Sequence, residues 1–326
     1  MPLQTKFLQG YYDSPSIDRV DTGLGYLTAM ADSPEKLALY TKKNLRFPET
    51  VEASFWYLGF NWLDPVLGGG KTPEEGRRAR LLRQAISIAV DWEENIAIFQ
   101  KNQGIPAHGP LPPGLFGWRD DGPSAFNPVV YRKTEEGRVV RRSIEEAKAL
   151  LREAGYPDGR DALTGKPLIL SFDYQNAAQG SKAYLEWYQR QFAKLGIQLD
   201  IRATDYNRFQ DKMNRGAAQI FLWGWVADYP IMDNFMYPLF FSTSGDNYSQ
   251  IGDDAIDEAL LDARATIDDA ERIAKYQEVN ATLGEQCWMI PLMFYTHTQV
   301  VGDNVAYYYL DPLKKADMTK VELVSA

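Results

Sequence analysis

The chain has 326 residues, 45% hydrophobic and 24% charged, enough for two lobes, or for one large domain with an appendage, each with a real core. A net charge of -9 argues against a nucleic-acid surface, and the most basic stretch, "RKTEEGRVVRR" at 132–142, carries its own Glu135 and Glu136 and reads as a solvated hairpin or loop. A single cysteine, Cys287, excludes an internal disulfide, two histidines (His108 and His297) without HExxH or EF-hand spacing argue against a metal, and no apolar run is long enough to cross a membrane as a helix.

The opening "MPLQTKFLQGYYDS" has neither the basic start nor the apolar core of a signal peptide, so either the protein is cytosolic or the chain begins inside a longer one. "ASFWYLGFNW" reads as a strand. "VLGGGKTP" at 66–73 ends like a phosphate-binding loop, but the position that needs its first glycine holds Pro65, and Pro73 with a charged turn follows; a hinge-side loop is expected instead. From about Arg77, "RRARLLRQAISIAVDWEENIAIFQ" predicts one amphipathic helix, followed by the breaker-rich loop "GIPAHGPLPPGLFG" at 104–117. "SIEEAKALLREAGYPDG" predicts a helix opened by a capping box, Ser143 with Glu146, and stopped by Gly155 and Pro157.

The middle alternates. "KPLILSFDY" is a strand, "SKAYLEWYQRQFAKLG" a helix stopped by Gly196, "IQLDIRAT" a half-buried strand, "DYNRFQDKMNRG" a short helix and "AQIFLWGW" the next strand. This β-α-β-α-β order predicts an α/β fold with a mostly parallel sheet. Two acidic-headed helices, "DDAIDEALLDARA" and "DDAERIAKYQEVNATLGEQC", precede the strand "MIPLMFYTHTQVV". The ends of the chain, 1–61 and 295–326, are mostly extended and read as parts of an incomplete lobe I; 62–294 reads as an inserted lobe II with crossings near 62–76 and 288–295.

The candidate site lies in "QIFLWGWVADYP", 219–230. A period of two puts Phe221, Trp223 and Trp225 on one face. Phe221 reads as sheet core. The two indoles lie near the carboxyl end of the strand, where open parallel sheets place ligands, and are either core or a ligand wall that keeps a hydrogen-bond donor. Asp228 is either a turn residue before Pro230 or a carboxylate at the mouth of an aromatic cleft, suited to an ammonium group. Asp233 reads as an N-cap, His108 as a loop residue, His297 as an edge or hinge residue and Cys287 as a small buried hydrophobe.

Taken in order, "RRARLLRQAISIAVDWEENI", "GIPAHGPLPPGLFGW", "SIEEAKALLREAGYPDG", "WGWVADYPIMDNF" and "MIPLMFY" resemble the motifs of the extracellular solute-binding protein family 5, over roughly residues 50–310. The resemblance implies a two-lobed receptor, like the type II periplasmic binding proteins, that closes on a peptide or similar solute and delivers it to the membrane permease of an ABC importer, with no bond made or broken. It implies a monomer without a cofactor or metal, periplasmic or anchored at the cell surface as a lipoprotein. It gives Asp228 the ligand's α-amino group and puts Trp225 on the motif's tryptophan; Trp223, Tyr229, Phe294, Tyr295, His297 and Asn61 complete the expected pocket. Family members carry a signal and a long further segment before "FLQGYYDS", so the chain is expected to be the carboxy-terminal part of a longer protein. Two other readings stay open: a glycoside hydrolase using Asp228 and Asp233 as acid and base, and an interaction module with a Trp/Tyr surface.

Overall fold

The computed structural model describes residues 3–13, 44–100, 102–175, 181–313 and 321–324. In chain order the elements are α1 (Leu3–Leu8), β1 (Glu49–Val51), β2 (Ser54–Phe60), α2 (Pro73–Ala89), α3 (Trp92–Phe99), β3 (Ile105–Pro106), β4 (Tyr131–Lys133), β5 (Val139–Arg141), α4 (Ile144–Glu153), β6 (Ile169–Gln175), α5 (Ser181–Ala193), β7 (Gln198–Thr204), α6 (Tyr206–Asn214), β8 (Ile220–Val226), α7 (Asp233–Phe240), α8 (Asp254–Ala265), α9 (Asp269–Gln286), β9 (Met289–Phe294), β10 (Thr296–Thr298), β11 (Val305–Tyr307) and β12 (Glu322–Leu323).

Local chemistry explains most boundaries. The capping box at Ser143 and Glu146 forms as expected and starts α4. A second capping box, Thr72 with Glu75, starts α2 at Pro73, four residues ahead of the expected start near Arg77. The long helix expected there is two helices: the chain turns extended at Val90, and Asp91 accepts from the Glu94 amide to cap α3. "RKTEEGRVVRR" forms the antiparallel hairpin β4–β5.

The central sheet has six strands in the order β3-β9-β2-β8-β6-β7. Only the β8–β6 and β6–β7 pairings are parallel; β2 runs antiparallel to both β8 and β9, and β3 antiparallel to β9, so the sheet is mixed rather than mostly parallel. The reason lies in the chain path. β2 leads away from the paired end segments β1 and β10 and β9 returns to them, so neighbours that leave and arrive at the same place run in opposite directions. β2, from the segment 1–61, is thus hydrogen-bonded on both sides into the central sheet, between β8 and β9. Helices cover both faces. Leu58, Leu170, Phe172, Ile220 and Leu292 pack against Leu82, Ile86, Leu151 and Trp187 of α2, α4 and α5. Phe55, Tyr57 and Phe221 pack against Phe209, Phe235, Leu260 and Leu283 of α6–α9. No helix among the described residues is long and apolar enough to cross a membrane.

Candidate functional site

β8 is paired unequally along its two edges. On one side all seven residues, Ile220 to Val226, are in register with β2. On the other, the register with β6 stops at Phe172↔Ile220 and Asp173↔Phe221, and among the described residues no strand continues it. The main-chain direction follows from the strand's ends. The Gln219 carbonyl accepts from Asn61 and the Ala227 amide donates to Ala53, so odd-numbered residues direct their polar groups at β2. Leu222, Gly224 and Val226 therefore direct theirs toward the side that β6 leaves.

A cavity of about 360 Å³ lies along this open edge, lined by Trp56, Tyr174, Gln175, Tyr206, Leu222, Trp223, Gly224, Trp225 and Val226. Side chains of both sheet faces contribute. Trp56 of β2 lies across Gly224, where an added Cβ would meet three of its ring carbons at 2.9, 3.0 and 3.1 Å; glycine is what lets the indole rest on the strand. Trp56 also meets Tyr295 edge-on, with centroids 6.4 Å apart. On the opposite face Trp223 packs at 5.6 Å on Phe209 and 5.1 Å on Tyr248, while Trp225 Nε1 donates to Asn234 Oδ1 at 3.3 Å. Among the described residues no charged side chain lines the cavity, and burial raises the Tyr174 phenol above its usual range.

The strand then runs into the loop that carries Asp228. Its amide donates to Asn234 Oδ1 at 3.0 Å, whereas its side chain is exposed and its carboxylate caps no helix and meets no cation among the described residues. Tyr229 is 43% exposed and its hydroxyl donates to Asp233. Asp233 is the first residue of α7 rather than its N-cap: its carboxylate accepts from Tyr276 Oη at 2.8 Å and pairs with Arg264 Nε at 3.2 Å. Asp233 takes donors from two phenols and a guanidinium and borders a different cavity of about 240 Å³, so its surroundings lend no support to an acid/base pair with Asp228 of the kind a glycosidase needs.

Of the expected residues, Trp223 and Trp225 share a face and border the cavity, with Asp228 and Tyr229 just beyond it. Three others lie elsewhere. Asn61 sits at the far end of β2, where its amide donates to the carbonyls of Gly216 at 2.7 Å and Ala218 at 2.9 Å; it closes the entry to β8. Phe294 is 2% exposed and pairs with Ile105, inside the α6–α9 layer. His297 belongs to β10, opposite Thr50, with Nδ1 3.9 Å from the buried Glu52. Tyr295 touches Trp56 without lining the cavity. The sequence reading missed Trp56, Tyr174 and Tyr206; their strands and helix gave no signal, because only the pairing of β2 beside β8 and the divergence of β6 brings them together.

Residues 25–247 match the family described as "Bacterial extracellular solute-binding proteins, family 5 Middle". The chain is 28% identical over 250 residues to di/tripeptide-binding protein 2 of Pseudomonas aeruginosa, covering 74% of this chain and 42% of that protein. It is 26% identical over 247 residues to the dipeptide-binding protein of Escherichia coli, with the same two coverages, so it spans less than half the length of these relatives. The solved structure of HbpA2 from Haemophilus parasuis superposes with a TM-score of 0.76 at 20% identity, over 99% of this chain and 57% of that one, and shares the fold. The family match spans well over half of the sequence and contains the strand, the loop and the capping helices described above, and the chain belongs to the bacterial extracellular solute-binding proteins of family 5.

Proposed function

We propose that this chain is part of a solute-binding receptor of an ABC importer, and that it holds an oligopeptide, or a small solute of similar chemistry, against the open edge of β8. The observation that carries this reading is the run Leu222–Val226, paired with β2 on one edge and, among the described residues, with no strand on the other, beside an aromatic cavity. An extended peptide laid there adds a strand: its main chain meets the groups of Leu222, Gly224 and Val226 whatever its sequence, and alternate side chains enter the cavity. Asp228, two residues beyond Val226, then faces the α-amino group, a charge-assisted pairing.

Magnitudes set the limit of this wall. Two or three main-chain hydrogen bonds contribute about 0.5–1.5 kcal/mol each, and burying roughly 100 Å² of apolar surface adds about 2.5 kcal/mol. Association costs about 4–15 kcal/mol, so this wall alone binds weakly and tight capture needs a second one. That requirement supports a division into two lobes. The crossings would fall at 51–54 and 294–296, where β1 and β10 leave the central sheet side by side and the Glu52 amide donates to the Tyr295 carbonyl. A ligand bridging both lobes favours the closed state by binding it better. Delivery to a membrane permease, action as a monomer and a periplasmic or lipoprotein-anchored location belong to the same proposal.

Titration calorimetry with Ala-Ala-Ala and its N-acetylated form, on this chain and on Asp228→Asn, tests it. The free amine should bind at least tenfold more tightly than the acetylated peptide, and the asparagine variant should lose that preference. Saturation by both peptides with equal affinity would keep the groove and discard Asp228 as the anchor. No heat from either peptide even at millimolar concentration, where a weak single wall would still register, would discard the peptide.

A further inference from the structure

Asn234 is the second residue of α7 and is 3% exposed. A single atom of its side chain, Oδ1, accepts two hydrogen bonds, one from the cavity wall and one from the loop beyond it: the Trp225 indole N–H at 3.3 Å and the Asp228 main-chain N–H at 3.0 Å. Both partners can only donate, so the orientation of the amide is settled: the oxygen, not the NH₂ group, faces the loop. The acceptor itself is held firmly. The Asn234 main-chain N–H donates to the Ile231 carbonyl, and the helix it belongs to sinks Phe235, Met236, Leu239 and Phe240 into the core. The arrangement fixes two things: the angle of the Trp225 ring at the cavity wall, and the point at which the chain leaves β8 and presents the Asp228 carboxylate.

We propose that Asn234 is the positioning residue of this site, coupling the Trp225 wall to the Asp228 anchor through one shared oxygen; the ligand part of this inference rests on the peptide-receptor reading above. One consequence concerns selectivity. The indole donor of Trp225 is used internally, so that wall offers the ligand an apolar π-face and no hydrogen bond. The groove therefore selects there for apolar or cationic side chains by contact, and discrimination by polar pairing is left to Asp228.

The test compares the full chain with Asn234→Leu, which removes the acceptor at similar size, and Asn234→Asp, which keeps an oxygen in the same place at a helix start that favours negative charge. Asn234→Ala replaces the leucine variant if the larger side chain perturbs the fold, and exchange at the amides of Phe172 and Phe221 reports fold integrity. Two readouts need no ligand: hydrogen exchange at the Asp228 amide and the NMR signal of the Trp225 indole N–H. In the unmodified chain the Asp228 amide should exchange at least tenfold more slowly than expected for its exposed side chain. Asn234→Leu should abolish that protection and shift the indole signal, and Asn234→Asp should retain both. With Ala-Ala-Ala and its N-acetylated form as probes, the leucine variant should bind the two within about twofold of each other, whereas a purely structural loss would weaken both in proportion and leave the preference intact. Unchanged amide protection in Asn234→Leu, or an undiminished amine preference, overturns the inference. If the unmodified chain binds neither probe even at millimolar concentration, the peptide reading falls and the exchange and indole readouts alone judge Asn234.

Discussion

Two glycines of the central sheet, one at the site and one in the core, should respond in different ways to the same methyl group. At Gly224 an alanine Cβ would lie 2.9–3.1 Å from the Trp56 ring, against about 3.5–4.0 Å for a comfortable carbon contact. Trp56 is 37% exposed and has room to swing outward, so the overlap is relieved by moving the indole rather than the strand. The loss is its edge contact with Tyr295 and its seat on β8, about 0.5–1.5 kcal/mol for such an aromatic pair. Because Trp56 lines the cavity, its displacement should lower peptide affinity by about tenfold, equivalent to about 1.4 kcal/mol. At Gly59 the added Cβ would lie 2.2 Å from the Phe221 ring, which is 0% exposed and cannot move aside. That overlap belongs at the upper end of the overpacking range or beyond, about 3 kcal/mol. Urea denaturation of Gly224→Ala and Gly59→Ala, with calorimetric titration of the first, separates the two effects. A Gly59→Ala protein as stable as the parent, or a Gly224→Ala protein with unchanged affinity, would refute the account of how the rings meet the backbone.

Other expectations concern the scaffold. Arg83 is 2% exposed and donates to the carbonyls of Leu67, Gly68, Gln286 and Cys287, tying the glycine-rich loop to the end of α9, and burial lowers its pKa to about 10. Arg83→Met leaves those carbonyls without their donor and should cost about 3 kcal/mol in chemical denaturation; a midpoint near the parent's would show that the loop is held otherwise. Burial and the nearby Arg141 lower the His108 pKa from 6.5 to about 4. The unfolded chain takes up a proton near 6.5 that the folded chain refuses until about 4, so this contribution is fully present above 6.5 and lost as pH falls through that window. It amounts to about 3 kcal/mol from the 1.36 kcal/mol per pKa unit, and His108→Gln should flatten the stability profile between pH 6.5 and 4. Ser143→Ala removes the α4 cap and should lower stability by about 1 kcal/mol, whereas an unchanged melting midpoint would mean that packing alone holds that helix.

The comparison of expectation with structure divides by the distance over which the deciding interaction acts. The capping box of Ser143 and Glu146 closes within three residues, and the alternation that puts Trp223 and Trp225 on one face is a property of the strand itself. The strand–helix–strand–helix–strand order and the motif order of the family are equally local, and they were enough to assign the α/β class and the family. Helix boundaries were less legible where two signals compete, as at Val90, where a continuous apolar pattern hides the cap at Asp91.

What the sequence by itself determined was therefore which segments become helix or strand, which faces are apolar and that a carboxylate follows a pair of indoles. Only the tertiary structure decided which strand lies beside which. The pairing of β2 with β8 lays Trp56 over Gly224, and the early end of the β6 register opens the edge that forms the cavity. It also decided which polar groups are spent: Asn61 on carbonyls 155 and 157 residues away, Asp233 on Tyr276 and Arg264, and Asn234 on Trp225 and Asp228. The physical reason is that caps and periodicity arise from bonds between near neighbours, whereas an open edge or a satisfied side chain depends on what another part of the chain brings to it.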